Sequence, residues 1–381
     1  MKKKKKYTLR KFINDIHLWL GIASGIILFL VCLSGTLLVF QEEIEAIFTE
    51  EISIHPEGEK LISIENLKEK LSEEGLVTRV TLKEDATLPY EFTVKTSPKE
   101  RHGSTFFVDQ YTGEYQKEPE SSAHEFMMTM FKLHRWLLLE VPVGRPIVGV
   151  ATIIFFFISI SGIVLWFPKK MKWKNFKPGF KIKFSANWKR INHDLHNTLG
   201  FYACVFLIIM CLTGLCWSFE WYREASSAVI GTKVFNRGGG PSFTSDPDVG
   251  SKSLNDIITI GKNEFNYQGD IRLNFPKDEK DVYSLNFYDS SNFSPVTSDE
   301  LVIGQNGEIL HKEIFSEKAA NVQIASLIKP IHTGQIFGNF SKIIYFLACL
   351  IATSLPITGT IIWINKLKKK SKKKKSRKVM V

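Results

Sequence analysis

The chain has 381 residues, 44% of them hydrophobic, and 50 Lys and Arg against 39 Asp and Glu give it a formal net charge of +11. The basic excess sits in short runs beside long apolar segments, which argues against a nucleic-acid-binding protein and makes the lysines a membrane-topology signal. All five cysteines (Cys32, Cys204, Cys211, Cys216 and Cys349) fall inside apolar segments, so an extracytoplasmic disulfide framework is excluded and they read as small core residues.

A helix crosses the hydrocarbon core of a bilayer with about 20 residues. Four segments meet that need: Leu18 to Phe40, Ile147 to Phe167, Leu199 to Phe219 and Ile343 to Ile364. In chain order, a basic arm (1–17, with the run Lys2 to Lys6) leads into a first span (18–41). Leu38-Val39-Phe40-Gln41 offers no small-residue cleavage site, so this span reads as retained. An outer segment (42–130) follows, with a helix expected over Ile62 to Ser72 and strands over Thr78 to Leu82, Tyr90 to Lys95 and Ser104 to Asp109. Asp109-Gln110-Tyr111-Thr112-Gly113-Glu114 reads as a tight turn.

Residues 131–168 form an interfacial helix and the second span, and 169–195 a basic loop. The third span (196–220) precedes a second outer segment (221–330), in which Asp281 to Tyr288 and Glu300 to Ile309 read as strands, the latter with a turn at Gln305-Asn306-Gly307. Arg237 to Gly250 has the composition of a mobile loop. The fourth span (331–364) ends in a basic tail (365–381), and Trp166, Trp217, Trp221 and Trp363 stand near span ends as interfacial rings do.

The arm, the loop from Lys169 to Arg190 and the tail from Lys366 carry 7, 9 and 10 basic residues, 26 of the 50 in the chain. Such segments stay in the cytoplasm. With Asp15 and Asp194 also inside, 24 basic residues are left against 37 acidic ones outside, a net charge of −13 there. The expected location is a bacterial cytoplasmic membrane, with both termini cytoplasmic and two periplasmic domains.

The chain repeats at an interval of about 179 residues. His17 is followed by Gly21 and by Ser34-Gly35, and His196 by Gly200 and Thr213-Gly214 at the same offsets, with Glu43 or Glu220 closing each span. More loosely, Leu133-His134 matches Ile331-His332, Ser161-Gly162 matches Thr358-Gly359, and Trp166 matches Trp363. The expected fold is an α-helical membrane protein with four transmembrane helices in two parallel repeats and two small α+β extracytoplasmic domains.

Topology sorts four histidines into two pairs. His17 and His196 begin helices at the cytoplasmic face; His134 and His332 precede helices that enter from outside. One boundary histidine alone reads as an interfacial residue. Two imidazoles from facing helices can instead take both axial positions of a haem iron, with Gly21, Gly25 and Gly200 making room for the porphyrin. A second haem between His134 and His332 would complete a path for electrons, and with no Cys-x-x-Cys-His both would be noncovalent b-type haems. Zinc is a weaker alternative, because no acidic or Cys ligand is close in sequence. His193, one turn before His196, could replace it as ligand, although the repeat favours His196; His124 has no counterpart to compete with His134, and His55 and His102 read as surface.

These residues resemble bacterial membrane proteins with PepSY-associated transmembrane helices, which include iron-regulated proteins and ferric-siderophore reductases. The carriers are His17-x3-Gly21, Ser34-Gly35-Thr36, Leu133-His134-Arg135, Ser161-Gly162, Leu165-Trp166, His193-x2-His196-x3-Gly200, Thr213-Gly214, Ile331-His332-x-Gly334 and Thr358-Gly359. Phe107-Val108-Asp109 with Thr112-Gly113-Glu114 is similar to the strand and turn that end a PepSY domain. The resemblance implies haem held by the histidines and reduction of a ferric chelate outside the cytoplasmic membrane. No Gly-x-Gly-x-x-Gly follows a strand, so an external donor, quinol or a cytoplasmic reductase, would be required. Two other expectations stand beside it: an envelope binding or regulatory protein without haem, and an iron-chelate transporter, for which the spans lack midplane charges.

Overall fold

The computed structural model describes residues 7–97, 100, 103–235, 243–246 and 250–379, with backbone alone from 370. Lys2 to Lys6, His102 and most of the expected mobile loop (236–242 and 247–249) lie outside the described residues. In chain order the elements are α1 (Leu9–Leu38), α2 (Gln41–Ile47), α3 (Ile64–Leu71), β1 (Leu76–Leu82), β2 (Tyr90–Lys95), β3 (Ser104–Val108) and β4 (Tyr115–Lys117). Then come α4 (His124–Trp136), α5 (Val141–Trp166), α6 (Trp173–Phe176), α7 (Trp188–Asp194), α8 (Gly200–Ser218), α9 (Glu220–Ile230) and α10 (Leu254–Glu264). Strands β5 (Gly269–Asn274), β6 (Tyr283–Asp289), β7 (Asp299–Ile303) and β8 (Ile309–Glu313) precede α11 (Ala320–Thr333) and α12 (Gly338–Val379). The chain divides into a helical unit (residues 1–45, 123–234 and 327–381) and a sheet unit (46–122 and 235–326).

Among the described residues, four helices of the first unit are long and apolar enough to cross a membrane: Leu9–Leu38, Val141–Trp166, Trp188–Ser218 and Gly338–Lys369. The third is α7 and α8 joined through a π-helical turn, Leu195–Leu199. The four close a ring in which α1 and α8 each pack on both α5 and α12. Lipid gives helices no hydrophobic reason to associate, so close packing of small residues does that work; Cys32, Ala203, Ala348 and Ala352 meet at the centre against Phe155, Phe206 and Met210. Buried hydroxyls give their hydrogens back to their own helices, Ser24 to Leu20, Thr36 to Cys32, Ser159 to Phe155 and Thr353 to Cys349, which satisfies these four donors in an apolar medium. All five cysteines are buried and free.

The ends of the bundle are tied by charge. Arg10 donates to the carbonyls of Phe167 (2.8 Å) and Leu165 (2.6 Å), a cation on the orphan carbonyls that end α5. At the other end of α1, Lys342, 7% exposed, meets Glu43 at 2.5 Å and joins α12 to α2. Trp166 departs from the interfacial role expected of it: it is 9% exposed, stacks on Phe201 at 3.8 Å and donates to the Gly179 carbonyl, so the basic loop covers it.

The second unit holds one antiparallel sheet of eight strands in the order β4-β3-β2-β1-β5-β6-β7-β8. The two outer segments, read from sequence as two domains, each supply four strands and one helix, and β1 pairs with β5 to join them. Pairing removes an exposed edge from both halves. Helices α3 and α10, capped by Ser63 and Ser253, bury Leu67, Leu71 and Ile257 against Val80, Phe92, Leu273, Leu285 and Leu301 in a single core. Glu65 on α3 accepts the backbone N–H groups of Leu254 and Asn255 at the start of α10. The expected turn after β3 is present, with Asp109 Oδ1 accepting from the N–H groups of Tyr111 and Thr112. The stretch read as Glu300 to Ile309 with a turn at Gln305-Asn306-Gly307 is the β7–β8 hairpin, bent where Gly307 adopts φ +87°.

Gly269 opens β5 at φ +151°, and a Cβ there would lie 1.7 Å from the Tyr288 carbonyl oxygen. Gly269→Ala should therefore destabilise the sheet unit by about 1–3 kcal/mol from backbone conformation alone, with the clash added. Limited proteolysis of the detergent-solubilised protein on a temperature ramp measures this: protection over residues 46–122 and 235–326 should be lost at a lower temperature than in the parent.

Candidate functional site

The helical unit brings the four boundary histidines together as two pairs. His17, on the third turn of α1, faces His196, which stands in the π-helical turn, with ring centroids 6.3 Å apart and planes at 89°. A π turn shifts the facing of the residues it carries and recurs at functional sites. His134 on α4 and His332 on α11 form the second pair, again with centroids 6.3 Å apart, at 59°. Both come from short helices beside the spans. Leu137 and Leu138, at φ +57° and +60°, turn α4 back at a cost of about 1–2 kcal/mol each, and Gly144 lets it lie close, since a Cβ there would fall 1.9 Å from the Trp136 carbonyl oxygen.

Every ring is held by Nδ1. That of His17 lies 2.9 Å from Ser161 Oγ, that of His196 2.9 Å from Thr358 Oγ1, and that of His332 3.0 Å from Thr213 Oγ1. Each hydroxyl also donates to a carbonyl of its own helix: Ser161 to Ile158, Thr358 to Ser354 and Thr213 to Ile209. A hydroxyl has one hydrogen, so toward the imidazole it can only accept, and Nδ1 must carry the proton. For His134 the partner is the Val31 carbonyl at 2.8 Å, which has the same effect. In the neutral form of each of these imidazoles the Nδ1–H tautomer leaves the Nε2 lone pair as the one a metal would use.

Each ring also rests against a glycine of the next helix. A Cβ on Gly35 would lie 3.0 Å from His134 Cε1, on Gly214 2.9 Å from His332 Cε1, on Gly359 3.1 Å from His196 Cε1, and on Gly162 3.5 Å from His17 Cε1. The recurring Ser/Thr-Gly steps are therefore cradles for the histidines. Their recurrence once per span is the signal in the sequence; their role is legible only from the contacts. The glycines expected to make room differ: Gly25 meets Pro356 and Gly200 meets Leu355 in helix packing, while Gly21 has nothing within 4 Å. Trp217, expected at the interface, lies against His332 with centroids 5.2 Å apart.

The other histidines are placed elsewhere. His193 is 56% exposed beside Asp194, and His124 pairs with Glu45. Of His193 and His196, it is His196 that faces His17.

Two imidazoles that share one metal, with bonds of about 2 Å and roughly 1 Å from each nitrogen to its ring centre, have centroids about 6 Å apart. Both pairs meet that spacing. Among the described residues no group of three or more His, Cys, Asp and Glu could hold a metal ion; a pair of imidazoles alone supplies two of a metal's positions and leaves the others to another group. Fourteen residues of α1 separate His17 from Val31, which places the pairs about 20 Å apart along the helix axis.

Over residues 15–366 the sequence matches the family described as the PepSY-associated TM region. The chain belongs to that family and is a membrane protein. A comparison with curated proteins finds no match.

Proposed function

We propose that this PepSY-associated membrane protein carries electrons across the bacterial cytoplasmic membrane, through two noncovalent b-type haems, to a ferric chelate on the periplasmic side. The observation that carries it is the pair of imidazole couples, each with centroids 6.3 Å apart and each ring held by Nδ1, which leaves Nε2 as the nitrogen available to a metal. A haem bound in this way supplies an iron that gains and loses one electron with no open coordination position.

His17 and His196 would hold the haem nearer the basic arm, loop and tail, which lie in the cytoplasm by their charge. His134 and His332 would hold the other, nearer the outer face. Ser161, Thr358, Thr213 and the Val31 carbonyl keep the protons on Nδ1 and the rings in place. Between the pairs the Cys32, Ala203, Ala348 and Ala352 packing keeps water and ions out. Ile26, Val205 and Leu347, all exposed, face lipid. The two halves are parallel repeats about an axis along the membrane normal, a reading supported by the sheet order, which is the same from either edge. The electron enters from quinol or a cytoplasmic reductase and converts Fe(III) in the chelate to Fe(II), which hard oxygen donors hold less well, so iron is released.

The test is reconstitution into liposomes with a reductant enclosed and a ferric chelate plus a ferrous-specific chromophore outside. Colour should develop only with protein present, and equal rates with and without it would count against the function. Thr213→Val and Thr358→Val each leave a buried Nδ1–H without an acceptor. Each should weaken retention of the corresponding haem about 10- to 100-fold, read as loss to an excess of an apo-haem acceptor protein; retention equal to the parent would remove the hydroxyls from the account.

A further inference from the structure

The open face of the sheet carries two arginines that electron transfer through the bundle does not use. At the seam between the two halves, Arg79 of β1 stands opposite Asn274 of β5, and Thr81 opposite Arg272. Residues opposite each other on an antiparallel ladder share a face. Both guanidinium groups therefore rise from the face away from α3 and α10, since the intervening Val80 and Leu273 are fully buried in the core beneath those helices. Arg79 and Arg272 are diagonal neighbours, about 7 Å apart at the backbone. Each directly precedes one member of the buried pair Val80 and Leu273, which stand opposite each other across the seam, so they occupy corresponding places in the two halves.

Neither arginine makes an ion pair among the described residues. The acids nearby are engaged: Glu91 and Asp270 both hold Lys83, at 2.7 and 3.3 Å, and Glu300 accepts from Ser284. Arg79 Nε donates to Asn274 Oδ1 at 2.8 Å. Arg272 Nε is buried with no hydrogen-bond partner, and its guanidinium lies over the Tyr288 ring at 5.0 Å. Partial burial, and then the charge of Arg272, pull the Arg79 guanidinium below its ordinary value. Like charges placed this way on a sheet destabilise it, and they do so at the centre of outer segments that are acidic overall.

We propose that Arg79 and Arg272 together bind a carboxylate group of the ferric chelate. The planar fork of each guanidinium matches a carboxylate, and two forks offer charge-assisted donors to both oxygens. Two positive charges set side by side in an acidic surround give an anionic group a local point of attachment. That the carboxylate belongs to an iron chelate rests on the function proposed above; the anion site itself does not.

The test is equilibrium dialysis of radioactive ferric citrate against the full-length protein in lipid nanodiscs, for the parent, Arg79→Gln, Arg272→Gln and the double variant. Each single change should weaken binding about 10-fold or more, the loss of one charge-assisted pair of hydrogen bonds, and the double change should abolish it. A neutral ferric trihydroxamate should bind parent and variants alike. Equal ferric citrate binding by parent and double variant, or none by the parent, overturns the site. Iron-free citrate competing as well as the iron complex overturns the chelate as the ligand. Protease protection of the sheet unit, unchanged in the variants, separates lost binding from lost folding. Haem absorbance in the same samples separates the two proposals: absence of haem with arginine-dependent binding defeats the conduit alone, and haem with arginine-independent binding defeats this site alone.

Discussion

Replacing His332 with Ala should remove about half of the bound haem and stop reduction of an external ferric chelate, while the haem between His17 and His196 stays reducible. The pairs are independent in their ligands: His332 is held by Thr213 Oγ1, whereas His17 and His196 are held by Ser161 and Thr358, about 20 Å away along the helices. Without His332 the second pair has one imidazole left, and His134 alone would not hold a haem that needs two histidine ligands. The four spans pack through other residues, so the bundle should persist. Haem per chain and the liposome assay check this result; an unchanged haem content would dissolve the His134/His332 pairing.

Gly214→Val should have nearly the same effect without touching a histidine. A Cβ at Gly214 would already lie 2.9 Å from His332 Cε1, closer than van der Waals contact allows, and the two further methyl groups of Val force the ring away from His134. The opposition that both axial bonds need is then lost. Gly162→Ala is the matched control, because a Cβ there lies 3.5 Å from His17 Cε1, an ordinary contact that moves nothing. The expected result is about one haem per chain in Gly214→Val and about two in Gly162→Ala, read by pyridine haemochrome. Two haems in Gly214→Val would show that the glycine cradle places no ring.

Much of this arrangement is legible in the sequence. Hydropathy places the four spans, and the internal repeat, offset by 179 residues at His17/His196 and more loosely, by 198, at His134/His332, separates the four boundary histidines from the rest. The partners of those histidines are not legible. Ser34-Gly35 follows His17 on the same helix, yet 17 residues of helix put it about 25 Å away, and it is His134, from α4, that rests on Gly35. The sequence records the recurrence of Ser/Thr-Gly but not which helix faces it. The single sheet is hidden for a similar reason: β1 and β5 are far apart along the chain, and neither Leu76–Leu82 nor Gly269–Asn274 carries a mark of its partner. Strand β5 and helix α10 escape periodicity as well, the first because it is short and the second because its β-branched Ile257, Thr259 and Ile260 weaken a helical pattern that Ser253 nonetheless caps.

The most direct test of the electron conduit is a dithionite-reduced minus oxidised absorbance spectrum of the purified protein, with haem quantified per chain. A low-spin b-type spectrum with about two haems is the result predicted by two bis-histidine sites. No haem, in protein made by cells that synthesise and insert it, would contradict the conduit and move the search for function to the sheet unit.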